Sequence, residues 1–142
     1  MDNLKWVRNH FLENKKTSVE LVIMDQKSKR KFRNGYIEIY WGGRCWTYTG
    51  NMNQAYGWGR QLMDLASCYK TRGSILHEIM LTLGFVQEHR RPNRNKFISV
   101  NRMSPKYDWN NCGMYYADNL ENGNTVYDLK SILHPVEGHC GI

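Results

Sequence analysis

No stretch of this chain approaches the roughly 20 consecutive apolar residues that a membrane-spanning helix needs. The first eight residues, MDNLKWVR, contain no apolar core of the kind a secretory leader carries, so they do not read as a signal peptide. Proline is scarce, with three residues, and hydrophobic residues make up 41% of the chain, an ordinary globular composition. At 142 residues the chain is long enough to bury a real core, and the expectation is a single domain over residues 1–142. Acidic residues do not balance the basic ones, and the formal net charge is +7. Part of that excess is one cluster, Lys27, Lys29, Arg30, Lys31 and Arg33. Such clusters can bind nucleic acid or anionic lipid. This one lacks stacking aromatics in RNA-binding order and zinc-finger spacing, so it reads as a solvated loop and nucleic acid is disfavoured as a partner. Four cysteines, an even number, are compatible with two disulfides in an oxidising compartment.

Residues 3–14 read as an amphipathic helix. Leu4, Val7, Phe11 and Leu12 share one face, while Lys5, Arg8, Asn9 and Glu13 point away. This helix is expected to pack on a sheet. Residues 19–23 (VELVI) and 36–40 (YIEIY) read as strands, and residues 45–48 (CWTY) as a third extended piece after the turn at Gly42 and Gly43. A longer apolar helix is expected to open at Gly73 and Ser74, with Ser74 as its N-cap, and to end at Gly84. Residues 119–124 read as a polar loop.

That longer helix contains the stretch around which the rest is organised, HEIMLTLGFVQEH at residues 77–89. It has the frame H-E-x-x-H-x-x-G-x-x-H, in which three imidazoles hold zinc and the Glu polarises a zinc-bound water. His77, Glu78 and Gly84 are present, but the second ligand position holds Leu81 and the third Gln87. A buried helix carrying His-Glu by chance would explain the apolar run Ile75, Leu76, Ile79, Met80 and Leu83. It would not explain the Gly-Phe-x-x-Glu continuation.

Residues 77–94, HEIMLTLGFVQEHRRPNR, closely resemble the active-site signature of the astacin family of metzincin endopeptidases, HELMHALGFxHExxRxDR. The matches outside the ligands are Met80, Leu83, Gly84, Phe85, Glu88, Arg91 and Arg94. The order of earlier elements also resembles the family, as do residues 96–101 and residues 127–135, YDLKSILHP, against a Met-turn of the form Y-D-Y-x-S-I-M-H-Y. The resemblance runs over about residues 4–136. It implies an α+β, metzincin-like fold, with a twisted N-terminal sheet packed on a first helix and a central active-site helix, and with the C-terminal subdomain largely missing. It implies His77 as a metal ligand, Glu78 as the catalytic base, zinc as cofactor and a Cys45–Cys68 disulfide, which would close a loop and stabilise by about 3 kcal/mol. Glu88 occupies the position that in the family receives a processed N-terminus. Cys112 and Cys140 match no family position, and either pairing with each other or two free thiols is compatible with the sequence.

The departures fall in two separate segments. Leu81 and Gln87 stand where ligands belong, while Leu133 and Pro135 stand where the Met-turn has its Met and its Tyr, a switchable metal ligand. Leu for Met nearly conserves volume, but Pro for Tyr removes the phenol. The expectation is therefore a degenerate, inactive astacin-like domain that binds a peptide or protein. The alternative is an active zinc endopeptidase whose metal site has been rebuilt from His77, His89 and either His134 or His139. A non-functional fragment and a basic interaction module rank behind these. The family is secreted, yet the N-terminus carries no leader signal, so localisation stays open at this point.

Overall fold

The computed structural model describes residues 2–13, 21–22, 35–57, 59–115, 125–135 and 138–142. The expected strand at 19–23 lies largely outside them, as do the basic cluster at 27–33 and the loop at 119–124. Leu21 and Val22, which are described, belong to no regular element, although Leu21 packs against the core. The chain forms two compact units, Met1–Phe85 and Val86–Ile142.

In the first unit, helix α1 (Asp2–Glu13) precedes strands β1 (Tyr36–Tyr40) and β2 (Trp46–Thr47), helix α2 (Met52–Tyr56), strand β3 (Arg60–Asp64) and helix α3 (Arg72–Thr82). The sheet order is β1-β3-β2, with β1 parallel and β2 antiparallel to β3. Tyr36 faces Arg60 and Trp46 faces Asp64 in the register. The core joins Val7 of α1 to Met63 and Leu65 in and after β3, Cys68, and Ile75 and Ile79 of α3. Leu4 packs on its edge. Asn3 fastens the start of α1 by donating to the Tyr69 and Lys70 carbonyls, both at 3.0 Å, and the Arg72 guanidinium lies over the Trp6 ring.

Two features of this unit depart from the sequence expectation. The N-cap of α3 is Thr71, not Ser74. Thr71 is extended (φ −116°, ψ 134°), its side chain accepts from the Ser74 amide, and the helix starts at Arg72. Ser74 is thus the residue that the cap serves, three positions inside. Strand β3, the middle of the sheet, was not expected because its sequence, RQLMD, is poor in β-branched residues. Its polar side chains work on the neighbouring loops instead. Gln61 accepts from the Met52 amide and donates to the Tyr48 carbonyl. The Asp64 carboxylate accepts from the amides of Gly42, Arg44 and Ala66, each at 3.0 Å. Burial pushes the Asp64 carboxyl up, but those three amides and the Arg44 charge outweigh it and hold its pKa below the usual value.

The second unit contains turns of 3-10 helix at Glu88–Arg90, Arg94–Lys96 and His139–Gly141, with helix α4 at Trp109–Cys112. Asp108 caps α4 through the Asn110 amide. Its interior is polar as well as apolar. His89, Arg91 and Arg94 are buried beside Cys112, Tyr127, Leu133 and Cys140.

Candidate active site

Helix α3 ends in a two-bond Schellman motif. Gly84 is left-handed (φ 95°), its amide donates to the Leu81 carbonyl, and the Phe85 amide donates to the Met80 carbonyl. A Cβ at that φ would be strained, which accounts for glycine at this point. The other face of the helix end is tied to the strand side. The Gly50 amide donates to the Leu81 carbonyl at 2.9 Å, and the Thr47 and Thr82 hydroxyls lie 3.1 Å apart.

His77 is half-buried on α3. Its neighbour Glu78 is 5% exposed. Cys45 Sγ lies 3.2 Å from Glu78 Oε1, but Cys45 is joined to Cys68 by a disulfide and has no proton to donate. The contact is a hydrogen bond only when the carboxyl itself is protonated and donates to sulfur. Oε2 has no partner. Burial accordingly pushes the Glu78 carboxyl up to about 7. Leu81, at the second ligand position of the motif, is 7% exposed and offers hydrocarbon where a zinc ligand offers a lone pair. Gln87, at the third, is extended and half-buried.

In the second unit, Glu88 sits at a junction. Its Oε1 accepts from Arg91 Nη1 at 2.6 Å and from the Asp128 amide at 2.9 Å, while its own amide donates to the Leu133 carbonyl. Arg91 also donates to the Thr125 and Val126 carbonyls. The 127–135 segment is therefore fastened by the residues after Gly84. Leu133 is buried. His134 faces Tyr127 Oη through Nε2 at 3.1 Å and the Pro135 carbonyl through Nδ1 at 2.9 Å, so both ring nitrogens are engaged. Arg94 is buried and donates to the His89 and Cys112 carbonyls.

His89 is completely buried. Its Nε2 lies 3.0 Å from the Asn111 carbonyl, and Nδ1 has no partner. A carbonyl only accepts, so Nε2 carries the proton and Nδ1 keeps the lone pair. Burial pushes the His89 imidazole down to about 4, against the pull of the Asn111 bond. Among the described residues, His89, His139 and Cys140 make the one group of His, Cys, Asp and Glu side chains whose ligand atoms converge, all within 4.8 Å of one another. Cys140 is joined to Cys112 by a disulfide, which decides between the two states that the sequence left open. The sequence suggested His89 and His139 as alternative ligands beside His77, but not Cys140. The signal in the sequence for Cys140 was only its place next to His139.

A mixed sheet backed by a helix that carries His-Glu in its middle and closes at a left-handed glycine is the arrangement of a metzincin-type zinc-peptidase fold. The sequence model of the peptidase family described as Astacin matches residues 9–138, and the chain belongs to that family as an astacin-type metallopeptidase domain. Blastula protease 10 of Paracentrotus lividus is 31% identical over 110 residues, 75% of this chain and 17% of that protein. Zinc metalloproteinase nas-12 of Caenorhabditis elegans is 33% identical over 113 residues, 75% of this chain and 26% of that one. The chain thus spans well under half the length of the curated relatives it matches. High choriolytic enzyme 1, a hatching enzyme zinc-protease from Oryzias latipes, has the same fold at a TM-score of 0.74 and 21% identity, covering 99% of this chain and 66% of that one. Zinc is the cofactor that this family membership implies. No helix among the described residues is long and apolar enough to cross a membrane.

Proposed function

We propose that this chain is one partial peptidase domain that has lost catalytic zinc and acts by holding a peptide or protein. The observation that carries the reading is Leu81, a buried hydrocarbon side chain at a ligand position. The donor set does not fit a catalytic zinc, which needs three protein ligands and an open position. No hydrolytic step is therefore assigned to His77 and Glu78, although the family resemblance gives them the roles of metal ligand and base. Of the other imidazoles, His134 is engaged through both nitrogens, and His89 is completely buried with Nε2 on the Asn111 carbonyl. The family match over residues 9–138 crosses both units, which supports reading them as parts of a single domain. What survives the loss of metal is backbone chemistry. Among the described residues β2 is an edge of the sheet, and an extended peptide can add to an edge through main-chain hydrogen bonds alone.

The test is the zinc content of purified protein by elemental analysis, with His77→Ala and Glu78→Ala beside it. Zinc well below one per chain, in protein that unfolds cooperatively, is the expected result. Zinc near one per chain that disappears in His77→Ala overturns the proposal and restores peptidase roles to His77 and Glu78. A peptidase assay would then follow.

A further inference from the structure

The run that closes the signature and continues past it carries charge of one sign. Residues 94–102, RNKFISVNR, hold three cations, Arg94, Lys96 and Arg102, and no acid. The 3-10 turn at Arg94–Lys96 bends the run, and the amides of Phe97 and Ile98 both donate to the Arg94 carbonyl, at 2.8 and 2.9 Å. Its far end is fastened by the Asn101 amide, which donates to the Gly141 carbonyl at 2.9 Å. A cleft of about 380 Å³ opens along the run, lined in part by Arg94, Lys96, Phe97, Ser99 and Arg102. That volume suits a small molecule.

Arg94 leaves the cleft without charge balance. A guanidinium taken out of water needs a counter-charge or a full set of acceptors. Arg94 is 1% exposed. Its Nη1 donates to the His89 and Cys112 carbonyls, while its Nε has no partner. Among the described residues no carboxylate pairs with it: Glu38 is held by Arg60 and Glu88 by Arg91. The groups that act on its charge include the phenols of Tyr107 and Tyr127 and the guanidinium of Arg102, which repels it. The astacin signature carries Asp directly before this Arg, where the chain has Asn93. The cleft therefore lies in a positive field, with no acidic residue in its lining. Phe97 adds an apolar wall. Its ring stacks on Tyr127, with centroids 4.6 Å apart and planes within 9°, yet 47% of the residue stays exposed.

We propose that this cleft binds a small organic phosphate, a monoester whose doubly charged group is met by Lys96 and Arg102 in the field of the buried Arg94, and whose organic body rests on Phe97. A phosphate monoester carries about −1.5 to −2 charges at neutral pH, against a single one on a carboxylate, so it answers a site of three cations better. Its oxygens also accept paired bonds from a guanidinium, which the exposed Arg102 has to give. The site makes no use of His77, Glu78 or the sheet edge, so it stands apart from the peptide-holding reading.

The experiment titrates phenyl phosphate, inorganic phosphate and benzoate separately into the isotope-labelled full chain and follows the backbone amides by NMR. Phenyl phosphate is expected to bind at millimolar concentration or below and to move the amides of residues 94–102. It should bind more tightly than inorganic phosphate, which lacks the ring, and than benzoate, which carries one charge. Lys96→Gln/Arg102→Gln, at two exposed positions, is expected to weaken binding about 10-fold or more. Lys5→Gln/Lys70→Gln removes as much charge from exposed positions of the first unit and is expected to leave binding unchanged. Vesicles of phosphatidylcholine, with and without phosphatidic acid, locate the source of the ester. Sedimentation with phosphatidic acid that Lys96→Gln/Arg102→Gln abolishes assigns it to a lipid headgroup, and no sedimentation assigns it to a free ester. The proposal is overturned if phenyl phosphate does not bind, if it moves amides elsewhere instead, or if benzoate or inorganic phosphate binds as tightly. Undiminished affinity in Lys96→Gln/Arg102→Gln, or an equal loss in Lys5→Gln/Lys70→Gln, overturns it as well.

Discussion

Two buried groups pull the stability of the metal-free chain in opposite directions with pH. Glu78 has a folded pKa of about 7 against an ordinary 4.5. Across that interval the folded state keeps a proton that the unfolded state has released, so stability falls as pH rises. His89 has a folded pKa of about 4 against 6.5. Across its interval the unfolded state takes up a proton that the folded state refuses, so stability rises with pH. Each displacement is about 2.5 units, which corresponds to at most about 3 kcal/mol, and nearer 2 once solvent screening is allowed for. The intervals overlap between pH 4.5 and 6.5, where the slopes cancel and the parent protein is expected to show little pH dependence from these groups.

Glu78→Gln separates them. The amide keeps the shape and removes the titration, leaving the His89 slope. Urea unfolding in EDTA, followed by tryptophan fluorescence from about pH 4 to 8, reads the result. The variant should gain about 2–3 kcal/mol between pH 4.5 and 6.5, and at pH 8 it should exceed the parent by a similar amount, since it no longer carries a buried charge. His89→Gln should show the mirror image, a stability that falls over the Glu78 interval. A Glu78→Gln profile parallel to the parent's, or a variant less stable than the parent at pH 8, refutes the assignment of an unpaired buried carboxyl.

Other outcomes follow from single contacts. Leu81→His should lower the stability of metal-free protein by about 1–3 kcal/mol in denaturant titrations, because it buries a polar ring where hydrocarbon now packs. Arg91→Leu should cost about 3–5 kcal/mol, since it strands the largely buried Glu88 carboxylate and frees the Thr125 and Val126 carbonyls. Gly42→Ala should lower the melting temperature, because its Cβ would meet the Tyr40 ring at 2.5 Å and Asp64 Oδ2 at 2.7 Å. Cys112→Ser/Cys140→Ser should destabilise by about 3–4 kcal/mol in the loop-entropy estimate, read by chemical denaturation under oxidising conditions.

The α+β, metzincin-like fold was legible wherever local chemistry and tertiary role agree. Val7 and Leu4 mark the buried face of α1, residues 36–40 form β1, and Gly84 ends α3 because only a residue at ease with positive φ closes that motif. It was illegible where tertiary contacts override local preference. Gln61 and Asp64 make β3 look polar, yet they sit in the middle of the sheet because their side chains satisfy loop amides and a loop carbonyl. The N-cap was misplaced because Gly73 reads as a helix breaker, whereas a first-turn glycine is tolerated once Thr71 supplies the cap. Cys140 and His89 are 51 positions apart in sequence, a separation that no local pattern bridges.

The persistence of so much of the signature around absent ligands has a physical logic. The residues that match the family outside the metal set have structural work in this chain. Gly84 and Phe85 close α3 on the Leu81 and Met80 carbonyls, Glu88 and Arg91 fasten the 125–128 backbone, Arg94 holds the His89 and Cys112 carbonyls, and the Ser131 hydroxyl accepts from the Leu133 amide. Replacing Glu88, Arg91, Arg94 or Ser131 removes these side-chain hydrogen bonds whatever the metal does. Positions 79, 82, 93 and 129 also differ from the family pattern, but the four changes that the resemblance ties to zinc are 81, 87, 133 and 135. Two of them, Leu81 and Leu133, now contribute apolar burial instead. His77 and Glu78 are retained, and the raised pKa of Glu78 is the mark of a carboxyl buried without a charge partner. If the domain works without zinc, Glu78→Gln should raise stability at neutral pH and leave peptide binding unchanged; a loss of binding would assign Glu78 a direct part in holding the ligand.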